Sequence, residues 1–385
     1  GYSFTLPPLV ADGVVIVGIS GGEYGIRGYI EGYDPDTGER LWRTYTVPEP
    51  GEPGSETWPE GDAWERGGGP AWLTGTYDPE MNQVFWGIGN AGPWNAGVRP
   101  GDNLYTGSMV AMNPKTGEIN WHYQFTPNDP FDYDGTNELV LAEIDDQKVI
   151  MQANRNGFLY VINRETGKLM AANKFVDRVD WAESIDLETG RPVETAVAAG
   201  ARNGDAVEFW PSAFGGKNWA PVSYSPDLGL TFINTFNVGM NYKAVEPKYR
   251  AGVFYFGAEF SWSWPENDGD RGYLRAVDPM TGDVKWQHGT RLPRNAGILS
   301  TGGNVVFTGQ QSGEFEAFNA TTGELLYEFN VGTGIVGQPM TFEMDGRQYV
   351  SLVVGSGAVY TLFSGDEALA AYPPGGALWT FALPE

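Results

Sequence analysis

The stretch Gly32-Tyr33-Asp34-Pro35-Asp36-Thr37-Gly38, followed four residues later by Trp42, decides the fold because the chain repeats it. It returns as Met112-Asn113-Pro114-Lys115-Thr116-Gly117 before Trp121 and as Val277-Asp278-Pro279-Met280-Thr281-Gly282 before Trp286, and weaker copies end at Ala171 and Tyr327. In each copy Asp or Asn caps a tight turn and Gly supplies a positive φ. The repeat predicts a β-hairpin whose second strand carries a ring outward to pack on its neighbour.

Short strands separated by turn residues account for most of the remaining chain. The 385 residues include 54 Gly and 26 Pro, and 14% of residues are aromatic. Strands are predicted at 13–19, 83–88, 148–152, 158–162, 304–308 and 348–354, and a marginal helix at 205–209. Long polar loops are expected at 48–69 and 177–204. The pattern predicts an all-β fold in one domain over 1–385, a β-propeller of roughly seven blades at about 50 residues each.

Composition excludes several classes of protein. The chain has no Cys and two His, so a disulfide scaffold, a thiol nucleophile, a sulfur-ligated metal and a covalently attached c-type haem are all excluded. The net charge of −25 argues against nucleic acid or an anionic membrane as a partner and favours a basic protein. The longest apolar run is of the kind Val14-Val15-Ile16-Val17, which is too short to cross a bilayer. An acidic surface is also typical of salt-adapted proteins, and the sequence leaves that interpretation open.

Four stretches place polar groups beside glycine or tryptophan. Ser20-Gly21-Gly22-Glu23 follows an apolar strand, Asn90 ends another strand, and Asp132 and Asp134 stand at i and i+2. Arg155 supplies a fork-shaped cation. Oxygen donors with no sulfur and little imidazole indicate a hard cation. Taken singly, each of these residues is more often a turn cap or a solvated carboxylate than a ligand.

Taken together, these stretches resemble the pyrroloquinoline quinone (PQQ) dependent alcohol dehydrogenases. The specific segments lie in the same order along nearly the whole chain: Gly18-Ile19-Ser20-Gly21-Gly22-Glu23-Tyr24-Gly25-Ile26-Arg27-Gly28, Gly89-Asn90-Ala91-Gly92-Pro93-Trp94-Asn95, Asp132-Tyr133-Asp134-Gly135, Arg155-Asn156-Gly157 and Trp210-Pro211-Ser212-Ala213-Phe214-Gly215-Gly216-Lys217-Asn218-Trp219. The resemblance implies an eight-bladed propeller with tryptophan-docking repeats, the first blades being absent from this chain. The family's N-terminal region, with its vicinal cysteine pair, is expected to precede Gly1, consistent with a processed or truncated start.

The resemblance also implies roles for individual residues. It assigns metal ligation to Glu23, Asn90 and Asp132, makes Asp132 the catalytic base as well, and has Arg155 hydrogen-bond the quinone oxygen. Cofactor contacts fall on Thr5, Ser20, Gly21, Gly22, Trp72, Asn218 and Trp219. Asp129 and Glu138 are interpreted as structural.

Three positions depart from the common family pattern or distinguish its branches. Pro70 stands where a hydrogen-bonding Thr is common, and Asn295 where a Trp often covers the ring. Asp134 stands where calcium members have a small neutral residue and resembles the lanthanide-dependent members. Three carboxylates suit a trivalent ion. A lanthanide is therefore expected, with Ca²⁺ as the alternative.

By this resemblance the protein is a periplasmic enzyme that oxidises small primary alcohols and passes electrons to a separate c-type cytochrome, its signal peptide lying outside this chain. The segment 67–75 looks more like the ethanol branch than the methanol branch. Two alternatives stay open, a non-catalytic propeller scaffold and a quinoprotein acting on sugars or polymeric alcohols. A homodimer is compatible with the sequence, which leaves the oligomeric state open.

Overall fold

Antiparallel four-stranded sheets follow one another along the chain. The structure, a computed structural model, describes residues 1–383. The first blade comprises Leu9–Ala11, Val14–Gly18, Tyr29–Tyr33 and Arg40–Tyr45. The second comprises Thr76–Asp78, Gln83–Ile88, Ser108–Met112 and Ile119–Gln124, and the third Val140–Ile144, Gln147–Ala153, Phe158–Asn163 and Leu169–Lys174.

Three further blades lie towards the C-terminus. The fourth comprises Ser223–Ser225, Leu230–Phe236, Gly272–Val277 and Val284–Thr290. The fifth comprises Leu299–Ser300, Val305–Gly309, Glu314–Asn319 and Leu325–Asn330, and the sixth has three strands, Met340–Met344, Arg347–Gly355 and Gly376–Ala382. In every blade the order of the strands in the sheet is their order in the sequence, which is the antiparallel meander of a propeller blade.

Each repeated turn connects the third and fourth strands of a blade, and the Trp that follows three of these turns contacts the next blade. In the first copy the Asp34 carboxylate accepts the backbone N–H of Thr37 at 2.8 Å, and Gly38 has a φ of +71°. Trp42 then packs on the turn of the second blade, where a Cβ on Gly117 would lie 2.3 Å from its ring. Trp121 packs in the same way on the third blade's turn, and Trp286 of the fourth blade on the fifth. The predicted role of the repeat is therefore confirmed, and it explains why successive blades are neighbours.

The described part of the chain contains six blade-like sheets rather than about seven, because two insertions build structure of their own. One forms the hairpin Ala182–Ile185 and Pro192–Glu194 and the helix α1, Ala196–Asn203. The other adds a three-stranded sheet of Val207–Phe209, Gly239–Ala244 and Ala258–Ser263. The inserted hairpin has a further Asp-x-x-Thr-Gly turn at 186–190, which is not among the five predicted copies.

The six predicted strands are all present, and their ends lie within about one residue of the predicted ends. One helix prediction and one loop prediction were wrong. The segment 205–209 contains the strand Val207–Phe209 and no helix, and 177–204 contains the inserted hairpin and helix α1. The helix lies just upstream because Thr195 caps an alanine-rich run and Gly204, with a φ of +86°, ends it. A second helix, α2, spans Ala358–Phe363, and 3₁₀ turns lie at Gly22–Tyr24, Ser55–Thr57, Ala63–Arg66, Ala96–Val98, Glu266–Asp268 and Glu367–Ala371.

The largest hydrophobic cluster lies between the second and third blades and the insertions, and includes Phe85, Phe131, Tyr160 and Trp181. It also includes Tyr133, so both residues adjacent to Asp132 in the sequence belong to this cluster. None of the helices in residues 1–383 is long and apolar enough to cross a membrane.

Candidate active site

A tight loop after the second blade presents Asp132. The buried carboxylate of Asp129 accepts the backbone N–H groups of Phe131 at 2.8 Å and Tyr133 at 2.7 Å, which bends the chain around Asp132. Asp132 itself has a φ of +65°, in the left-handed region that Asp tolerates better than most residues. Burial raises the pKa of Asp129 to about 6. Asp129 therefore shapes the loop that holds the predicted base.

Arg155 joins the two carboxylates of this loop. One guanidinium nitrogen lies 3.0 Å from Oδ2 of Asp132, and the other lies 2.9 Å from Oδ2 of Asp134. The first nitrogen also donates to the backbone carbonyl of Ala213 at 3.1 Å. Burial raises the pKa of Asp132 well above its usual range, the carboxylates of Asp134 and Glu23 add to that effect, and Arg155 opposes it.

Glu23 and Asn90 complete the predicted metal set. Glu23 belongs to the 3₁₀ turn after the first blade's second strand, and its backbone carbonyl accepts the N–H of Tyr255 at 2.6 Å. Burial raises the pKa of Glu23, and Asp134 raises it further, while a hydrogen bond from the Asn90 side chain lowers it. Asp134 accepts the backbone N–H of Asn90 at 2.8 Å. The four predicted ligands thus form one connected polar group.

The predicted cofactor contacts surround this group. The Trp72 indole donates to Asp134 at 3.2 Å, and the guanidinium carbon of Arg155 lies 5.9 Å from the centre of a Trp72 ring. Thr5 donates to the Trp72 carbonyl at 3.0 Å. A Cβ on Gly22 would lie 2.8 Å from Pro70 and 3.4 Å from Oδ1 of Asn90, so this position needs glycine for close packing.

The segment that carries Asn218 and Trp219 is anchored by a buried ion pair. The ammonium of Lys217 lies 2.7 Å from a carboxylate oxygen of Glu138, and the other oxygen accepts the N–H of Val222 at 2.8 Å. The Asn218 side chain donates to the carbonyl of Phe214 at 2.9 Å, which leaves its own Oδ1 buried and without a protein partner.

A cavity of about 660 Å³ opens onto these residues. Of the predicted site residues, all except Gly22 and Asn90 line it: Thr5, Ser20, Gly21, Glu23, Trp72, Asp132, Asp134, Arg155, Asn218 and Trp219. Gly22 and Asn90 do not line the cavity, but Gly22 packs on Pro70 and Asn90 donates to Asp134, and both of these partners line it. The other fifteen lining residues are apolar, and seven of them are aromatic.

The groups that line the cavity suit both a cation and a flat, anionic cofactor. Carboxylate and amide oxygens can bind the cation, and Arg155 and Trp72 can contact the cofactor. Oδ1 of Asp132 and Oδ1 of Asn218 are buried acceptors without a hydrogen-bond partner, and buried polar atoms are normally satisfied. Within residues 1–383 no three His, Cys, Asp or Glu side chains are already close enough to one another to hold a metal ion, and the Arg155 guanidinium takes up Asp132 and Asp134. The oxygen donors that a hard cation needs are nevertheless gathered on neighbouring loops.

Three further residues support the site. The contacts of Asp129 and Glu138 agree with their interpretation as structural residues, because Asp129 holds the loop of Asp132 and Glu138 holds the segment of Asn218. Lys217, the partner of Glu138, was not singled out. The aromatic part of the cavity was also missed. For Lys217 the sequence did contain a signal, because this cation stands beside Asn218 directly after two glycines.

Blades in succession and a cavity lined by carboxylates, an arginine and a tryptophan define a propeller enzyme with a cofactor site. The family profile described as "PQQ: Glucose/ethanol/alcohol dehydrogenase, beta-propeller domain" matches residues 1–174 and 261–350. The chain belongs to this family of PQQ-dependent dehydrogenases, and it is an oxidoreductase that oxidises alcohols with PQQ.

Individual relatives agree with this assignment. Quinoprotein alcohol dehydrogenase PedH from Pseudomonas putida is 42% identical over 100% of this chain and 69% of the relative. Methanol dehydrogenase [cytochrome c] subunit 1 from Methylorubrum extorquens is 37% identical over 93% of this chain and 61% of that subunit. The solved structure of a europium-containing methanol dehydrogenase superposes with a TM-score of 0.91 at 33% identity, covering 99% of this chain and 74% of that one. The non-catalytic scaffold is therefore the wrong alternative.

Proposed function

We propose that the chain oxidises primary alcohols to aldehydes with Asp132 as the base and a trivalent lanthanide ion beside PQQ. The observation that carries the proposal is the juxtaposition of Asp132, Asp134 and Arg155 on the wall of a cavity that also contains Glu23. Arg155, Trp72 and Asn218 would hold PQQ, and Glu23, Asn90, Asp132 and Asp134 the metal ion. When bound, PQQ would supply a hydride acceptor and the metal ion Lewis acidity.

The protein's own residues divide the remaining tasks. Asp132 takes the proton of the alcohol hydroxyl, because it lines the cavity and its buried Oδ1 has no hydrogen-bond partner in the protein. Arg155 keeps Asp132 and Asp134 in place and offers donors to an anionic ring oxygen. Trp72 forms an aromatic surface for a flat ring, held by its hydrogen bond to Asp134.

The choice of metal rests on charge. Glu23, Asp132 and Asp134 bring three carboxylates to one site, and Arg155 compensates only one of them. Like charges in a buried site are costly unless a cation of matching charge offsets them. A trivalent ion suits this set better than Ca²⁺, and the similar europium-containing methanol dehydrogenase supports the same choice.

The deciding experiment is reconstitution. Apo-protein is titrated with PQQ and either La³⁺ or Ca²⁺, and alcohol oxidation is followed with an artificial dye acceptor. We expect turnover with La³⁺ to exceed that with Ca²⁺. Turnover that is higher with Ca²⁺ would contradict the metal assignment, and no turnover with either ion would contradict the proposed function.

A c-type cytochrome is the proposed electron acceptor, and the periplasm the proposed location. The methanol dehydrogenase relative is named for cytochrome c, and a net charge of −25 would attract a basic partner. Spheroplast fractionation tests the location, because release of the protein with the periplasmic fraction is expected.

A further inference from the structure

Part of the active-site cavity is lined by a continuous set of rings. Trp94, Phe254, Phe256, Phe260 and Trp262 all line it, and we call them the aromatic wall. Trp94 lies with its ring centre 4.5 Å from that of Phe256 and 5.4 Å from that of Phe260. Phe254 stacks on Phe256 at 4.8 Å, and Phe260 lies 5.6 Å from Trp262. The wall is therefore a packed surface with a defined shape.

The wall is tied to the acidic residues on one side and to helix α2 on the other. Phe254 stacks on Tyr24 at 4.9 Å, and the N–H of Tyr255 donates to the Glu23 carbonyl. At the other end the Trp262 indole donates to the carbonyl of Phe363, the last residue of α2, at 3.0 Å. An alcohol at Asp132 would thus have the wall and α2 as its surroundings.

Large apolar side chains at this end of the cavity remain exposed in the protein alone. Phe254 is 42% exposed, Phe260 38%, Phe363 52% and Leu362 of α2 73%, and all four line the cavity. Apolar surface concentrated on the wall of a concave site is typical of a binding surface. Covering it with an apolar group would remove it from water, which is favourable.

The aromatic wall offers few hydrogen-bond partners to the hydroxyl groups of a polyol. Its members are Phe and Trp, the Trp262 N–H is already used by Phe363, and the Trp94 nitrogen has no exposed surface. Hydroxyl groups buried against such a surface would lose their bonds to water without replacement, which costs free energy.

We infer that the aromatic wall and α2 select primary alcohols carrying a large apolar or aromatic substituent over short alcohols and over sugars. The inference rests on the proposed function and assigns Phe260 and Phe363 as specificity-determining residues. Because one methylene in an apolar pocket changes discrimination by about 10 to 200-fold, an aromatic ring is expected to raise kcat/KM over that of ethanol by at least about 10-fold.

The test compares benzyl alcohol, ethanol and glycerol on the chain reconstituted with PQQ and La³⁺. The variants are Phe260→Ala and Phe363→Ala, and the matched control is Leu326→Ala, a 51% exposed apolar residue of the fifth blade that does not line the cavity. Partly exposed side chains are chosen so that truncation leaves the fold intact, which circular dichroism checks. Binding of benzyl alcohol and glycerol to PQQ-free protein is measured by calorimetry as a readout independent of turnover.

We expect wild type to prefer benzyl alcohol. Both Phe260→Ala and Phe363→Ala should lower the ratio of kcat/KM for benzyl alcohol to kcat/KM for ethanol about 10-fold, and Leu326→Ala should leave that ratio unchanged. Benzyl alcohol should also bind the PQQ-free protein more tightly than glycerol. Equal kcat/KM for benzyl alcohol and ethanol in wild type, or an equal loss for both in the variants, overturns the inference. If no alcohol is oxidised, the proposed function fails. In that case the calorimetry still tests the inference, which is overturned if benzyl alcohol binds the PQQ-free protein no more tightly than glycerol does.

Discussion

Arg155 donates to the carboxylate of Asp132 across 3.0 Å, and the same guanidinium reaches Asp134 at 2.9 Å. Asp132 and Arg155, which are 23 residues apart in the sequence, are thereby joined in the lining of one cavity. The arginine also bonds the carbonyl of Ala213, and its own carbonyl accepts the N–H of Gly216 at 2.7 Å, so it connects the acidic loop with the segment before Asn218.

Replacing Asp132 with Ala should abolish alcohol oxidation while leaving the fold intact. The side chain is proposed to bind the metal and to take the proton, and loss of a base alone typically costs about 10² to 10⁴ in rate. Dye-linked turnover and circular dichroism are measured beside Asp36→Ala, an exposed turn residue. Near-normal turnover of Asp132→Ala would show that another group is the base.

Replacing Asp134 with Ala should remove the lanthanide-supported rate more than any Ca²⁺-supported rate. The substitution takes one of three carboxylates from the metal site, and it also removes the acceptor for Trp72 and for the Asn90 N–H. Asp134→Asn is the matched variant, because it removes the charge and keeps one oxygen acceptor for the Asn90 N–H, while its amide group replaces the acceptor of Trp72. The La³⁺ rate is compared with the Ca²⁺ rate for each variant, and an unchanged La³⁺ rate would contradict the assignment.

Electron transfer to a basic cytochrome c should slow as salt is added. Attraction between opposite charges weakens as the Debye length falls from about 30 Å at 0.01 M to about 8 Å at 0.15 M. The second-order rate constant is measured over that range, with an uncharged dye as the control acceptor. A rate constant that does not change with salt would show that the −25 charge plays no part.

Replacing Lys217 with Met should destabilise the protein by about 3 to 5 kcal/mol, because it leaves the Glu138 carboxylate buried without its cation. Lys217→Met combined with Glu138→Gln should be less destabilised than Lys217→Met alone, since the unpaired charge is gone and the Gln oxygen can still accept the Val222 N–H. Urea unfolding provides the comparison.

The control for the ion pair is Lys285→Met, whose partner Asp283 lies 3.3 Å away in an exposed pair. An exposed pair contributes about 0 to 1 kcal/mol. If Lys217→Met and Lys285→Met unfold at the same urea concentration, the buried pair does not stabilise the segment that holds Asn218.

The sequence by itself determined the class of fold, because its signals are local. An Asx cap and a positive-φ glycine act within one turn, so the repeat at 32–42 predicts the hairpin that is observed, and the spacing of the Trp residues predicts how neighbouring blades meet. The order of the polar motifs likewise identified Glu23, Asn90, Asp132 and Arg155 as candidates. Helix α1 was also readable from Thr195 and Gly204, but the alanine-rich run between them was overlooked.

Only the tertiary structure decided which groups meet. Glu138 and Lys217 lie 79 residues apart, and the wall rings Trp94 and Phe256 come from different segments of the chain, so no local pattern could pair them. The same applies to α2, which reaches the cavity from near the C-terminus through the Trp262 bond to Phe363. A local pattern specifies the conformation of a few residues, whereas contacts between distant segments depend on the packing of whole sheets, and that packing places an aromatic wall beside the acidic site.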